Sequence, residues 1–195
     1  KFEKVKPLDS VTDGFYRVVG KQKCFIADHP EVYTFYHYFR DKGVMDIKFY
    51  SGFPEHSFRK IMDIIELGFD SKEDIIINDV DIKPIEFLSQ ILKRLKIPKG
   101  YEERENLWVK INGKKEAVNK TILMECIVPT LKGWEDAGSN IDTGMSIGIM
   151  AQMIKNGIVS GKGSFSPEAV VPPKEFFKEL AKRKMFVYKN GKRIN

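Results

Sequence analysis

Apolar residues recur every three or four positions in several segments, and this spacing predicts helices. Phe58, Ile61 and Ile65 share one face of the clearest segment, which Gly68 ends because glycine readily adopts the left-handed conformation that closes a helix. The predicted helices are Glu55–Leu67, a segment from Pro84 to before Pro98, Asp142–Asn156 and about 173–184.

Alternating and β-branched apolar runs predict strands between these helices. The predicted strands are Phe15–Val19, Cys24–Ala27, Val32–Phe39, Val44–Tyr50, Asp74–Asn78, Leu107–Ile111, Thr121–Val128 and Met185–Tyr188. Asn112-Gly113 and a lysine-rich loop separate the two strands of the clearest hairpin. Strands and helices are interspersed without strict alternation. This order predicts an α+β fold with a mixed, largely antiparallel sheet and helices packed on one face.

The predicted helix that starts at Asp142-Thr143 is apolar on nearly every side until Lys155. Asp142 or Thr143 is a suitable cap, because an oxygen side chain accepts from an unpaired N–H of the first turn. A helix without a polar face is normally buried all round. We therefore expect it to lie centrally or to meet a missing partner, and Gly144 lets another backbone come close.

Composition narrows the class of protein. The 195 residues are 42% apolar and 31% charged with a net charge of +6, typical of a soluble domain and compatible with an anionic ligand without requiring nucleic acid. Cys24 and Cys126 are far apart along the sequence, and each lies in an apolar run. This usage favours free thiols in a reducing, cytoplasmic compartment, and it argues against a structural metal site. No run is long enough to span a membrane. The opening lacks an initiating Met, and we expect a fragment of a longer protein.

Direct signs of chemistry are few. Neither Gly-rich phosphate-binding motif is present, and no residues match a hydrolase or zinc-protease motif. His29, His37 and His56 are each compatible with an ordinary histidine or with an acid or base beside a cleft. The strand–turn–helix pattern of 40–56 allows two interpretations. It can present Arg40, Lys48 or Tyr50 to an anionic ligand at the start of the helix, or it can be only a tight connection between the strand and the helix.

Several elements in order resemble the C-terminal half of the saccharopine dehydrogenase family. The strand–turn–helix FYSGFPEHSFRKIMDIIELGF is similar to that family's "RYPGH…L..LG" element, and Leu107–Lys115 is similar to its "V.V.G.K.G" hairpin. The most specific resemblance is the tail, which comprises Thr143-Gly144 to Met153-Ile154, Gly157, Lys162-Gly163, Pro167-Glu168, Phe176-Phe177 and Leu180-Ala181. Phe49-Tyr50 stands where the family has Arg-Tyr, and Phe53 where it has His.

The resemblance implies an NAD(P)-dependent oxidoreductase that acts on a C–N bond of an amino acid such as saccharopine or lysine. It implies an α+β substrate-binding and dimerisation domain over 1–140, and a C-terminal helical tail over 141–195 that would pack on a missing N-terminal Rossmann domain. NAD or NADP would bind in the full-length protein, whereas this chain alone would bind neither and be inactive. The alternative is a catalytically inactive, dimeric interaction module of the same fold. A basic nucleic-acid-binding protein is a third interpretation, which salt-sensitive binding would support.

The same resemblance yields candidate site residues but no catalytic acid or base. The candidate substrate-binding residues are Arg40, Tyr50, Gly52 and His56, and the candidate residues facing the cofactor cleft are Asp142, Thr143 and Gly144. The expected partners are a second copy of the chain and a small amino-acid substrate, with no nucleic acid and no membrane. The many β-branched and aromatic residues of Val32–Phe39 and Thr121–Val128 place the expected dimer interface on the sheet.

Overall fold

The computed structural model describes residues 2–6, 10–96, 98–135 and 137–195. The helices are α1 Pro30–Phe39, α2 Glu55–Glu66, α3 Pro84–Leu92, α4 Gly138–Lys155, α5 Pro167–Val170 and α6 Pro173–Lys182, with a 3₁₀ turn at Arg40–Lys42. The strands are β1 Thr12–Tyr16, β2 Gly20–Ile26, β3 Tyr50–Phe53, β4 Ile75–Ile77, β5 Val80–Ile82, β6 Glu105–Lys115, β7 Val118–Val128, β8 Phe186–Lys189 and β9 Lys192–Arg193. This confirms the α+β class.

The described strands form three sheets rather than one, and each pairing is antiparallel. The N-terminal sheet has the order β1-β2-β3, the central sheet is the β4–β5 hairpin, and the C-terminal sheet has the order β6-β7-β8-β9. Phe25 of β2 lies against Phe58 of α2 with ring centroids 6.1 Å apart. Helix α2 therefore covers one face of the N-terminal sheet, while Cys24 points to the other face.

Helix α1 replaces the predicted strand Val32–Phe39, and that prediction is wrong. His29 has extended backbone and its Nδ1 accepts from the Glu31 N–H at 3.4 Å, which caps the helix, and Pro30 occupies the first turn. The ring of Phe2 lies 4.9 Å from Tyr33 and 5.2 Å from Tyr36. Aromatic rings three residues apart thus share a helical face, and the capping signal outweighs the β propensity of the run.

The second wrong strand prediction is Val44–Tyr50, of which only Tyr50 lies in a strand. Phe49 still accepts a backbone hydrogen bond from Ala27 at 3.1 Å, so pairing with β2 starts there. Helix α2 and strand β4 confirm their predictions, and Gly68 has a φ of +79°, as expected for the residue that closes a helix. Helix α3 starts at Pro84 as predicted and ends at Leu92.

The C-terminal sheet carries the buried core. Strands β6 and β7 form the predicted hairpin and turn at Glu116-Ala117, both with positive φ, so Asn112-Gly113 and most of the predicted loop lie within the strands instead. A two-residue turn with both φ positive matches the twist of a hairpin. Helices α4 and α6 pack on β7 and β8, and the buried core comprises Val128, Ile141, Ile149, Met153, Leu180, Met185 and Val187.

Helix α4 starts earlier than predicted, at Gly138 rather than at Asp142-Thr143. Its N-cap is Ala137, which forms no capping hydrogen bond with its side chain. The two residues predicted to cap the helix therefore lie in its second turn, and their capping role is wrong. Asn156 and Gly157 close the helix as predicted, with a φ of +70° at Gly157.

Both cysteines lie in strands as predicted and are free thiols. In the part of the chain that the structure describes, no helix combines the length and the hydropathy that a membrane crossing needs.

Candidate functional site

Strand β3 brings two of the predicted substrate-binding residues to the junction of the N-terminal and C-terminal sheets. Tyr50 pairs with Ile26 and Gly52 with Cys24, so both residues point to the face opposite α2. The indole ring of Trp108 lies 6.5 Å from the Tyr50 ring and 5.3 Å from the Tyr16 ring, with interplanar angles of 25° in both cases. We call these three rings the junction cluster.

Cys24 lies beside the junction cluster and is 2% exposed. Its Sγ and the Tyr16 hydroxyl share a hydrogen bond of 3.2 Å. Burial, followed by this hydrogen bond, raises the pKa of Tyr16 far above its usual value. The Tyr16 hydroxyl therefore stays protonated at neutral pH and cannot act as a base.

Gly52 has a packing reason to be glycine. A Cβ at this position would lie 3.0 Å from Cys24 Sγ, closer than sulfur and carbon normally approach. Because Gly52 has no side chain, the buried Cys24 thiol can pack against the backbone of β3. The glycine of the family-like motif is therefore explained by the packing of this sheet.

The other two predicted substrate-binding residues are not joined to Tyr50. Arg40 begins the 3₁₀ turn, where its Nε lies 3.8 Å from Asp41 Oδ1, and His56 is an exposed residue of the first turn of α2. Within residues 10–96, no hydrogen bond, ion pair or ring contact connects either side chain to Tyr50. Of the four predicted substrate-binding residues, the structure therefore brings together only Tyr50 and Gly52, which both lie on β3.

A charged network beside the junction cluster was missed by sequence reasoning. Arg17 Nε lies 3.4 Å from Glu125 Oε2, and the Arg17 guanidinium lies 4.5 Å from the centre of the Tyr188 ring. Asn106 donates to Glu125 Oε1 at 3.0 Å and to the Arg17 carbonyl at 3.2 Å. Glu125 is buried in the middle of the apolar run LMECIV. A single carboxylate within an apolar run is a sequence signal that could have indicated this network, because a buried carboxylate needs a charged or hydrogen-bonding partner.

The predicted cleft residues lie on the second turn of α4. Thr143 donates from its hydroxyl to Asp142 Oδ1 at 3.1 Å, and Thr143 and Gly144 are exposed. No heavy atom lies within 4 Å of the position that a Gly144 Cβ would take. This part of α4 is open to a ligand or to another backbone, although it is not the helix terminus.

Glu105 lies near Asp142 and is the most perturbed carboxyl group of the described residues. Its Oε2 is buried and has no hydrogen-bond partner. Burial, then the charges of Asp142 and Glu103, raise the pKa of Glu105 to about 7. No residue pattern pointed to Glu105, because its burial and its approach to Asp142 arise only in the folded chain.

Burial and the charge of Asp142 also act on the neighbouring thiol. They raise the pKa of Cys126 to about 11, so this thiol is protonated at neutral pH and is a poor nucleophile. Glu105 is the group whose carboxyl can gain or lose a proton near pH 7. Among the described residues, no group of three or more His, Cys, Asp or Glu could hold a metal ion.

The family comparison covers nearly the whole chain. The model of the saccharopine dehydrogenase C-terminal domain matches residues 2–185, a range that includes β3, the junction cluster, Glu125 with Arg17 and Asn106, and the whole of α4. It extends into the tail whose motifs carried the resemblance. The chain therefore belongs to the saccharopine dehydrogenase C-terminal domain family, and it is a domain related to oxidoreductases.

Proposed function

We propose that this chain is the substrate-binding part of an NAD(P)-dependent oxidoreductase that acts on a C–N bond of an amino acid such as saccharopine or lysine. Family membership supports the class of reaction. The observation in the structure that supports it best is the outer face of α4. That face is apolar and exposed, although α4 belongs to the best-packed part of the chain.

Helix α4 divides its apolar residues between two faces. Ile149 and Met153 are fully buried against the C-terminal sheet, whereas Ile147 is 59% and Ile154 60% exposed. Gly144, Ile147, Ala151 and Ile154 recur at helical spacing and leave a smooth stripe without charge. Covering such a stripe removes apolar surface from water at about 25 cal/mol per Å². We infer that the nucleotide-binding domain of the complete enzyme packs there.

This arrangement would place Asp142, Thr143 and Gly144 at the edge of the interface between the two domains. The chain has no Gly-rich phosphate loop, so its residues do not fit the pyrophosphate of NAD or NADP, and the other domain would hold that group. The cofactor would supply hydride transfer. Thr143 has a hydroxyl that can orient a polar group in the cleft, and Gly144 leaves room for the backbone or ligand opposite.

On the substrate side, Tyr50 is the proposed residue that the geometry supports best. It belongs to an aromatic cluster at a junction of two sheets, where a flat wall and nearby polar groups suit an amino-acid substrate. Arg40 and His56 remain proposed substrate ligands on neighbouring exposed segments. We assign no catalytic acid or base, although Glu105 has a carboxyl group that titrates near the working pH.

The proposal is tested with the protein that carries this chain together with its nucleotide-binding domain. NAD(P)H formation is followed at 340 nm with saccharopine or lysine as the substrate. Substrate-dependent turnover supports the proposal, and cofactor binding without turnover supports the inactive interaction module instead. The 195-residue chain alone should bind NAD(H) and NADP(H) poorly, and micromolar binding by calorimetry would contradict that expectation.

A further inference from the structure

Strand β6 is an edge strand of the C-terminal sheet and is 11 residues long. Strand β7 pairs with it on one side, and the described residues supply no strand on the other side. In the same described ranges, the backbone of residues 105–115 forms no backbone hydrogen bond outside this hairpin. The unpaired N–H and C=O groups of an edge strand can accept a further strand. We call the free side of residues 107–115 the β6 edge.

The hairpin register shows which backbone groups point out of the sheet. The two-residue turn at Glu116-Ala117 makes Lys115 and Val118 a hydrogen-bonded pair. Bonded and non-bonded pairs alternate along an antiparallel ladder. The N–H and C=O groups of Lys110, Asn112 and Lys114 therefore point away from β7, towards the open side.

One face of the β6 edge is apolar and incompletely covered. Leu107 is 46%, Val109 48% and Ile111 54% exposed, and alternate residues of a strand share a face. Cys126 and Met124 of β7, the register partners of Leu107 and Val109, pack on the buried core. The apolar face of the sheet thus extends to its edge strand, where it meets water.

The opposite face carries positive charge. Lys110 and Lys114 lie on this face and are exposed. The hairpin residues 107–124 contain four lysines, namely Lys110, Lys114, Lys115 and Lys120, and one acidic residue, Glu116. Opposite charges directly across two strands stabilise their pairing, whereas like charges destabilise it. The β6 edge therefore favours an acidic strand.

The same lysines oppose the pairing of two copies of the β6 edge. A symmetric antiparallel pairing centred on Asn112 would set Lys110 of each copy against Lys114 of the other. Lysine on an edge strand is a common protection against such edge-to-edge association. The charge pattern therefore selects against a second copy of β6 and in favour of a strand of opposite charge.

We propose that the β6 edge binds an extended acidic segment of a partner protein, which adds to the C-terminal sheet as a fifth strand. The backbone of the segment bonds to the outward groups of Lys110, Asn112 and Lys114. Its acidic side chains pair with the lysines, and the apolar side chains that alternate with them cover Val109 and Ile111. Main-chain hydrogen bonds supply affinity in strand addition of this kind, and alternate side chains supply specificity.

The proposal goes beyond the proposed enzymatic function and does not depend on catalysis. Its test is fluorescence anisotropy of the labelled peptide Glu-Val-Glu-Val-Glu-Val-Glu, titrated with the 195-residue chain. We expect saturable binding at micromolar concentrations. The peptide Glu-Glu-Glu-Glu-Val-Val-Val has the same composition and charge without the alternation, and it should bind at least tenfold more weakly. The peptide Lys-Val-Lys-Val-Lys-Val-Lys should not bind.

Two variants of the chain locate the bound peptide. Lys110→Glu/Lys114→Glu should reverse the preference, so that the Lys-Val peptide binds and the Glu-Val peptide does not. Asn112→Pro removes one outward N–H but no hydrogen bond to β7, and it should weaken binding of the Glu-Val peptide at least tenfold. Asn112→Ser is the matched control, because it keeps the N–H and should retain wild-type affinity. Circular dichroism should show the wild-type spectrum for all three.

Four results would overturn the proposal. The first is no saturation by the Glu-Val peptide at 1 mM wild-type chain. The second is equal binding of the alternating and block peptides, which would reduce the interaction to attraction of a polyanion. The third is an unchanged preference in Lys110→Glu/Lys114→Glu, which would place the peptide elsewhere. The fourth is self-association of the wild-type chain that Asn112→Pro abolishes, which would assign the β6 edge to a second copy.

Discussion

Arg17 Nε lies 3.4 Å from Glu125 Oε2, and this ion pair connects the β1–β2 turn to strand β7 across the junction of two sheets. Glu125 is buried, whereas Arg17 remains partly exposed. The stacking of Arg17 on Tyr188 adds a second contact to the same sheet. The pair holds the N-terminal sheet, and with it Tyr50, in position on the C-terminal sheet.

Removal of the Arg17 cation leaves the Glu125 carboxylate buried with Asn106 as its remaining side-chain partner. We expect Arg17→Met to lower the free energy of unfolding by about 1–3 kcal/mol. This loss is smaller than the loss expected for a fully buried ion pair, because the Arg17 side chain is partly exposed to water. Urea unfolding measures this change. In the double variant with Glu125→Gln the loss should be smaller than the sum of the two single losses, and additive losses would show that the pair is not coupled.

Glu105 gives the stability of the protein a pH dependence. Its pKa of about 7 in the folded state lies above the ordinary value of 4.5, so the folded protein binds a proton more tightly than the unfolded chain. The stability that this proton contributes is present below pH 4.5 and is lost as the pH rises to about 7. We therefore expect the Tm of Glu105→Gln to exceed that of the wild-type protein increasingly from pH 5 to pH 8.

Thermal unfolding at several pH values measures the effect of Glu105→Gln. Asp142→Asn is the matched variant, because it removes the nearby negative charge but keeps the Glu105 carboxyl group. It should reduce the pH dependence without abolishing it, since burial is the larger cause of the raised pKa. A constant difference in Tm between Glu105→Gln and the wild-type protein over pH 5–8 would contradict the raised pKa.

Gly14 controls the position of the Tyr16 ring. A Cβ at Gly14 would lie 2.3 Å from the Tyr16 hydroxyl oxygen, so Gly14→Ala must displace the ring from Trp108 and Cys24. We expect a lower Tm and a change in tryptophan fluorescence. Gly113→Ala in β6 is the control, because no atom lies within 4 Å of its Cβ position. An unchanged spectrum in Gly14→Ala would show that Tyr16 does not depend on this glycine.

The proposed cleft residues of α4 can be tested separately from folding. Gly144 lies inside a helix with open space around it, so Gly144→Ala should stabilise the chain by about 0.5–1 kcal/mol. In the complete enzyme, Gly144→Ala and Thr143→Ala should nevertheless lower kcat/KM about tenfold, which is ~1.4 kcal/mol of transition-state stabilisation. Thr143→Ser keeps the hydroxyl and should retain wild-type kinetics. Unchanged kinetics in both alanine variants would remove these residues from the site.

The sequence predicts elements well where one signal dominates. The 3.6-residue spacing of apolar residues from Phe58 and the glycine after the helix, Gly68, locate α2. Alternating apolar and polar residues locate β6 and β7. The prediction of α1 as a strand is wrong because the aromatic run Tyr33–Phe39 has strong β propensity, while the opposing signals, the capping His29 and Pro30, are local. At α4, Asp142 has the residue type of a cap but lies inside the helix.

The candidate site is less visible in the sequence because its contacts are distant along the chain. Tyr16, Tyr50 and Trp108 come from three strands, and the sheet junction brings their rings together. Glu105 has its raised pKa because of its burial and the charges of Asp142 and Glu103, and neither the burial nor the approach of Asp142 is encoded in a local pattern. Conversely, the apolar outer face of α4 was visible in the sequence, since the segment from Gly144 to Ile154 has no polar face.

The central claim is that the chain belongs to a working oxidoreductase and that α4 joins it to the nucleotide-binding domain. The most direct measurement is the initial rate of NAD(P)H formation by the protein carrying both domains, with saccharopine or lysine as the substrate, in wild-type and Ile147→Asp/Ile154→Asp forms. We expect substrate-dependent turnover in the wild-type protein and its loss in the variant, with the helical content of the variant unchanged. Equal rates in the two forms, or cofactor binding by the wild-type protein without any turnover, would contradict the claim.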